Sequence, residues 1–163
     1  MPPAARLTDS TAHGTPLNPG TGSPQCIIGM LPAWRAVPMA AAAGIQAMKQ
    51  ASDVTIQALE QATIAAPDPT SKSAALSAEI AGKTAAMSAF ASAVGGLPCD
   101  KHMCLMPAPA APPPVCHGMG VVLQASTSVM IDNLPATRQG DKVVEALGGP
   151  DPIVAGEMTV VIG

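Results

Sequence analysis

Five of the chain's seven cysteines and histidines fall in one stretch, LPCDKHMCLMPAPAAPPPVCHGMG, as Cys99, His102, Cys104, Cys116 and His117. Thiolate and imidazole are donors that zinc prefers, and a structural zinc takes four of them in a tetrahedron. The stretch offers more donors than that, so the residues alone leave open which four would serve. His102 and Cys104, two apart, point to the same side of an extended segment. His117 arrives from beyond a proline run, and the third histidine, His13, lies in the opening sequence MPPAARLTDSTAH. One ion held by such a set would tie three chain segments together. A disulfide between Cys99 and Cys104, or Cys104 and Cys116, is the alternative for these thiols. Cys26, between Gln25 and Ile27 in a β-prone run, reads as a small core residue. A hydrolytic zinc would need an open coordination position and a carboxylate base. Asp100 is the carboxylate in the loop, but four saturating donors leave no open position, so no catalytic role is expected.

The composition explains why such a staple would be needed. The chain has 163 residues and is 48% apolar, yet it holds one Trp, one Phe and no Tyr. The large side chains that dominate core burial are therefore nearly absent. Eighteen prolines and fifteen glycines indicate turns and short strands, and a small fold of that kind relies on a cross-link. A net charge of −3 and the lack of a basic run with interleaved aromatics speak against nucleic-acid binding. Residues 1–13 lack an apolar targeting core and carry one basic residue, Arg6. Lys49, Asp53, Glu60, Lys72, Glu79 and Lys83 interrupt the Ala-rich stretches, so stable membrane insertion is not expected.

The elements that would position the donors are repeated. CIIGMLPAWR (residues 26–35) aligns without gaps with VMIDNLPATR (residues 129–138), each a short strand-prone run, a turn and Pro-Ala-x-Arg. PAARLTD (residues 3–9) fits PATRQGD (residues 135–141), and TVVIG (residues 159–163) repeats the strand half. Three such units are each too small to bury a face alone and must stack about a shared axis. Between two of them, residues 38–96 are Ala-rich and helix-favouring, broken by Pro67-Asp68-Pro69-Thr70. The spacing predicts a helical hairpin with stripes at Ile45, Met48, Ser52, Ile56, Leu59 and Thr63, and at Leu76, Ile80, Met87, Phe90 and Val94. Ser71 or Thr70 would cap the second helix and Gly95-Gly96 would end it. Two helices packed on each other is one reading of the hairpin; a docking face for a partner or membrane is the other.

Several of these residues resemble a known family. Ala4-Ala5-Arg6 with Asp9 and His13 resembles the prePAAR pattern AARxxDxxxH, and Asp100-x-His102-x-Cys104 followed by Pro107 resembles the family's metal loop, with Leu105-Met106 displacing the usual proline. His117-Gly118 resembles the next ligand motif, and Asn133-Leu134-Pro135-Ala136-Thr137-Arg138 with Gly140-Asp141 the PAAR motif itself. Over residues 3–37 and 97–163 the chain is similar to the PAAR-repeat proteins, which tip the spike of type VI secretion systems and related contractile injection machines. The resemblance implies a mainly β fold: a small cone of β-hairpins and short strand repeats, formed by residues 1–37 and 97–163, stapled by one zinc and interrupted by the helical hairpin at 38–96. It implies His13, His102, Cys104 and His117 as ligands, with Cys99 or Cys116 as alternatives to Cys104. Glu145 stands near a place where some relatives have another Cys. The implied partner is a trimeric spike protein, bound at one tip per trimer, with effector cargo or an adaptor chaperone recruited through residues 38–96. The implied location is the cytoplasm of a producing bacterium, then secretion at the tip of the apparatus. The alternative within the family is the translocation module of a larger effector. Because the sequence ends in a strand repeat, no toxin domain is expected within it.

Overall fold

The computed structural model describes residues 1–108 and 115–163, so most of the proline run lies outside the described residues. The repeated motif forms hairpins. Ile27–Ile28 pairs with Leu31–Pro32, and Met130–Ile131 with Leu134–Pro135, in the same register. Their turn residues Gly29, Met30, Asp132 and Asn133 have φ of 53°, 69°, 50° and 64°, the left-handed pair that matches the twist of the flanking strands. The third copy is divided between the two ends of the chain. Pro3 faces Val161, as Pro32 faces Ile27 and Pro135 faces Met130, and the Ile162 N–H donates to the Pro2 carbonyl at 3.0 Å. TVVIG and PAAR are thus two strands of one hairpin, with the chain ends standing where the others have a turn.

The three hairpins close about a pseudo-threefold axis. The Ala5 N–H donates to the Thr137 carbonyl, Thr137 to Trp34 and Trp34 to Ala5, at 3.0, 3.1 and 2.9 Å, completing a ring of equivalent bonds. Ile28, Ile131 and Ile162 pack on Ala4, Ala33 and Ala136 inside it. The alanines of Pro-Ala-x-Arg are small because three backbones converge there. A second layer gathers Ala5, Leu17, Trp34, Ala36, Val122, Val143 and Ile153.

Each repeat leaves the ring through an arginine–aspartate clamp. In the first, the Arg6 backbone N–H donates to Asp9 Oδ2 at 2.7 Å while its guanidinium grips the same carboxylate. Arg138 and Asp141 repeat this, with the backbone bond at 2.8 Å. In the remaining repeat Arg35 makes the same contacts to Asp100, again with a 2.8 Å backbone bond, although the two residues are 65 apart in sequence instead of three. The helical segment is therefore inserted inside one clamp.

Beyond the clamps lies a curled antiparallel sheet of four strands in the order His102–Pro107, Cys116–Val122, Lys142–Glu145 and Asp151–Pro152. The inserted segment forms α1 (Met39–Ala65) and α2 (Pro69–Gly95). The helices run antiparallel: Lys83 of α2 reaches Glu60 of α1 at 2.7 Å, and Gly82 admits Leu59, whose Cδ1 lies 2.4 Å from where a Cβ would stand. Asp68, not Thr70 or Ser71, caps α2; both of those donate their backbone N–H to its side chain. Proline follows it at the first helical position, where no N–H is needed. The ends of the hairpin pack on the sheet, where Ile45, Phe90 and Val94 share a core with Val37, Cys99, Val121, Leu123 and Ala146.

The expectation of a mainly β chain is corrected by this arrangement. Two helices of 27 residues each stand against strands that are mostly two residues long, which makes the fold mixed α and β. Among the described residues no helix is long and apolar enough to cross a membrane.

Candidate metal centre

Each clamp aspartate is followed four residues later by a potential donor: Asp9 by His13, Asp100 by Cys104 and Asp141 by Glu145. The clamps fix where each strand starts, so the pseudo-threefold axis brings these three side chains to one place. His13 Nδ1 lies 3.6 Å from Cys104 Sγ and 3.2 Å from Glu145 Oε2. His117 joins them from the neighbouring strand, its Nδ1 2.7 Å from the same carboxylate oxygen and its ring edge-on to His13.

His117 arrives by an irregularity in the ladder. The pairing between His102–Pro107 and Cys116–Val122 shifts register after Cys104 opposite Gly118, and Gly118 has φ of 83°. Such a bulge re-aims the adjacent side chain. Two further glycines provide room. A Cβ on Gly148 would fall 2.5 Å from His117 Cε1, and one on Gly120 would fall 3.0 Å from Glu145 Cγ. Gly148 is itself tied to the helices, because the buried Lys49 of α1 donates to its carbonyl at 3.0 Å while pairing with Asp53.

Four of these donors, His13, Cys104, His117 and Glu145, lie within 4.8 Å of one another, and a second group of His102, Cys104, Glu145 and Asp151 adjoins it. The four residues singled out by resemblance are thus gathered into one region, with His102 in the second group. Its Nε2 lies 3.0 Å from Thr15 Oγ1, 3.8 Å from Glu145 Oε1 and 4.0 Å from Asp151 Oδ2. Asp151 accepts the His13 backbone N–H on Oδ1 at 2.8 Å. Cys99 is held in the apolar core beside the helices, and neither it nor Cys116 belongs to either group. All four cysteines are free thiols. Asp100, the carboxylate of the hydrolase reading, has both oxygens engaged by Arg35.

The electrostatics fit a cation. Glu145 and Asp151 are fully buried, and among the described residues Glu145 Oε1 and Asp151 Oδ2 have no hydrogen-bond partner. A buried carboxylate without donors is costly unless a positive charge compensates it. Burial pushes the Glu145 carboxyl up to about 8 and the Cys104 thiol up to about 11, because each charged form loses hydration. Burial lowers His102 and His117, with the neighbouring His13 adding to the effect. Neutral imidazoles have lone pairs to offer, and a divalent ion would supply the missing positive charge.

Sequence reasoning marked Glu145 only as standing near a family cysteine and did not find Asp151 or Thr15. The available signal for Glu145 was its place four residues after the Asp of Arg-x-x-Asp, matching Asp9 and His13. The insertion between Arg35 and Asp100 concealed the third instance that would have made it a pattern. No family model, curated protein or solved structure matches this chain.

Proposed function

We propose that the chain is a PAAR-type spike tip: it seats its hairpin end on the blunt face of a trimeric β-helical spike and narrows to a metal-stapled point. The observation that carries this reading is the equivalence of three exposed apolar residues on the hairpins. Ile27, Met130 and Val161 occupy the same register position in the three copies and are 57%, 48% and 48% exposed. Exposed apolar side chains in isolation mean little, but a symmetric set suits a partner whose own symmetry is threefold. A single chain with three similar hairpins resolves the mismatch between a three-chain spike and a one-molecule tip. The short hairpins also offer backbone edges that could extend the strands of such a spike.

The metal in this reading is one zinc, and its role is structural. Bound zinc supplies a four-way cross-link where the fold narrows and an apolar core has no room. His13, Cys104 and His117 are donors in both the resemblance and the geometry; the resemblance completes the set with His102. The helices over residues 38–96 would ride on one side of the tip and provide the surface for an adaptor chaperone or effector cargo. Delivery would take the protein from the producing cytoplasm outward with the spike. The second reading within the same family, a translocation module of a larger effector, uses the same base and metal centre.

The test is mixing with a trimeric β-helical spike protein of a contractile injection system from the same organism, followed by native mass spectrometry. One copy per three spike chains is expected, and Ile27→Asp/Met130→Asp/Val161→Asp should abolish binding while leaving the far-ultraviolet circular dichroism unchanged. Absence of the complex with the wild-type chain, or binding unaltered by the triple substitution, would refute the assignment.

A further inference from the structure

We infer that the metal is held by one residue from each repeat, His13, Cys104 and Glu145, with His117 as the fourth donor, and that His102 stands outside this set. The inference deepens the metal reading above and rests on it, but it is independent of docking to a spike. Its basis is symmetry together with distance. His13, Cys104 and Glu145 each lie four residues beyond a clamp aspartate, and the clamps themselves share their geometry. His102 lies two residues beyond Asp100, where the other repeats have Thr11 and Val143. Neither of those carries an imidazole, thiolate or carboxylate donor.

The distances also separate Glu145 from His102 as the ligand that completes the set with His13, Cys104 and His117. Glu145 Oε2 is 3.2 Å from His13 Nδ1 and 2.7 Å from His117 Nδ1, so both imidazole nitrogens and this oxygen converge on one point beside Cys104. His102 Nε2 is 3.8 Å from the other Glu145 oxygen and is engaged by the Thr15 hydroxyl at 3.0 Å. The other Glu145 oxygen, Oε1, has no hydrogen-bond partner among the described residues and faces His102 rather than the two imidazoles. Gly120, opposite Glu145 in the ladder, leaves the space that its side chain occupies on the way to the site. In this arrangement His102 positions rather than ligates: it lies against Glu145 Oε1 and Asp151 Oδ2, and such outer contacts orient a ligating carboxylate.

The experiment uses the full chain loaded with Zn²⁺ or Co²⁺ and compares wild type with Glu145→Cys, Glu145→Gln and His102→Gln. A thiolate bound to Co²⁺ gives a near-ultraviolet charge-transfer band, so Glu145→Cys should retain one metal and raise that band about twofold, as a second bound thiolate requires. Glu145→Gln should weaken zinc affinity by at least about 100-fold in competition with a chromophoric chelator, whereas His102→Gln should weaken it by about 10-fold, as expected for an outer contact. An unchanged band in Glu145→Cys, with zinc lost in His102→Gln, would overturn the assignment while leaving a metal centre in place. A wild-type chain that binds no zinc would defeat the metal reading itself, which is a different result.

Discussion

Replacing Phe90 with alanine should destabilise the entire molecule, including the hairpin ring that Phe90 does not touch. Phe90 is 2% exposed and sits between Ile45 and Val94 of the helices and Val121, Leu123 and Ala146 of the sheet. Truncating a buried phenylalanine costs about 3–5 kcal/mol, against a typical total of about 5–15 kcal/mol for a domain. At about 2–4 °C per kcal/mol for a chain of this size, Tm should fall by roughly 6–20 °C. Two signals separate the parts. Helical circular dichroism reports mainly α1 and α2, and the fluorescence of Trp34, the chain's one tryptophan and fully buried in the second layer, reports the β part. If the shared core makes them one cooperative unit, both signals will melt together in wild type and shift together in Phe90→Ala. A helical transition that moves alone, with Trp34 melting at its wild-type temperature, would refute this and make the helices an accessory that could be excised. The same logic applies to deleting residues 38–96, which would uncover Val37, Val121, Leu123 and Ala146.

Other perturbations test the ion pairs. Lys83, 1% exposed, joins Glu60 and Glu79 at 2.7 Å each, so Lys83→Met, which leaves the buried Glu79 without its counter-charge, should cost about 3 kcal/mol in urea denaturation. Burial pushes the Glu79 carboxyl up, but hydrogen bonds from Lys83 and Thr63 and the Lys83 charge outweigh it and leave it below the ordinary value. Its contribution is therefore full above the unfolded carboxyl pKa and lost as pH falls through the depressed one. Wild type should lose stability in that acid range more steeply than Glu79→Gln, measured as Tm against pH; parallel profiles would refute the coupling. Arg35→Lys, which loses the two-pronged grip on Asp100, should cost about 2–3 kcal/mol, and the same change at the more exposed Arg138 under about 1 kcal/mol. Equal losses in paired melts would show that the interrupted clamp is not special.

Much of the fold was legible in the sequence because its signals are local. The Pro67-Asp68-Pro69 breaker and Gly95-Gly96 marked the ends of the helices to within a residue or two, and the gapless alignment of residues 26–35 with 129–138 marked two hairpins. Faces were harder to read. In an Ala-rich helix nearly every position is weakly apolar, so Lys49, Glu79 and Lys83 stood out only as charges interrupting it, and nothing marked them as buried in ion pairs. His13, Cys104 and His117 stood out because His and Cys are rare in this chain. Glu145 did not, because a single glutamate in a strand carries no signal until it is compared with its equivalents.

The position of the insertion links these observations. An insert that opened a clamp without re-forming it would shift the start of the following strand and carry Cys104 away from His13 and Glu145. Here the antiparallel helices return the chain to its point of departure, and the Arg35 N–H meets Asp100 at the same 2.8 Å as Arg138 meets Asp141. The interrupted clamp is also the most reinforced. Beyond Asp100, the Arg35 guanidinium donates to Asp132 and to the Gly22 carbonyl, both at 2.8 Å. Arg138 has Asp141 as its only side-chain partner among the described residues. The added bonds anchor Arg35 to the hairpin turn of a neighbouring repeat and to the loop before its own. They hold the near end of the gap rigid, so that Asp100 has a fixed partner to return to. A long chain closed at both ends by rigid contacts costs little more to close than a shorter one, since closure entropy grows only with the logarithm of length. The clamp that carries the insertion can therefore deliver its donor to the metal centre as accurately as the two that do not.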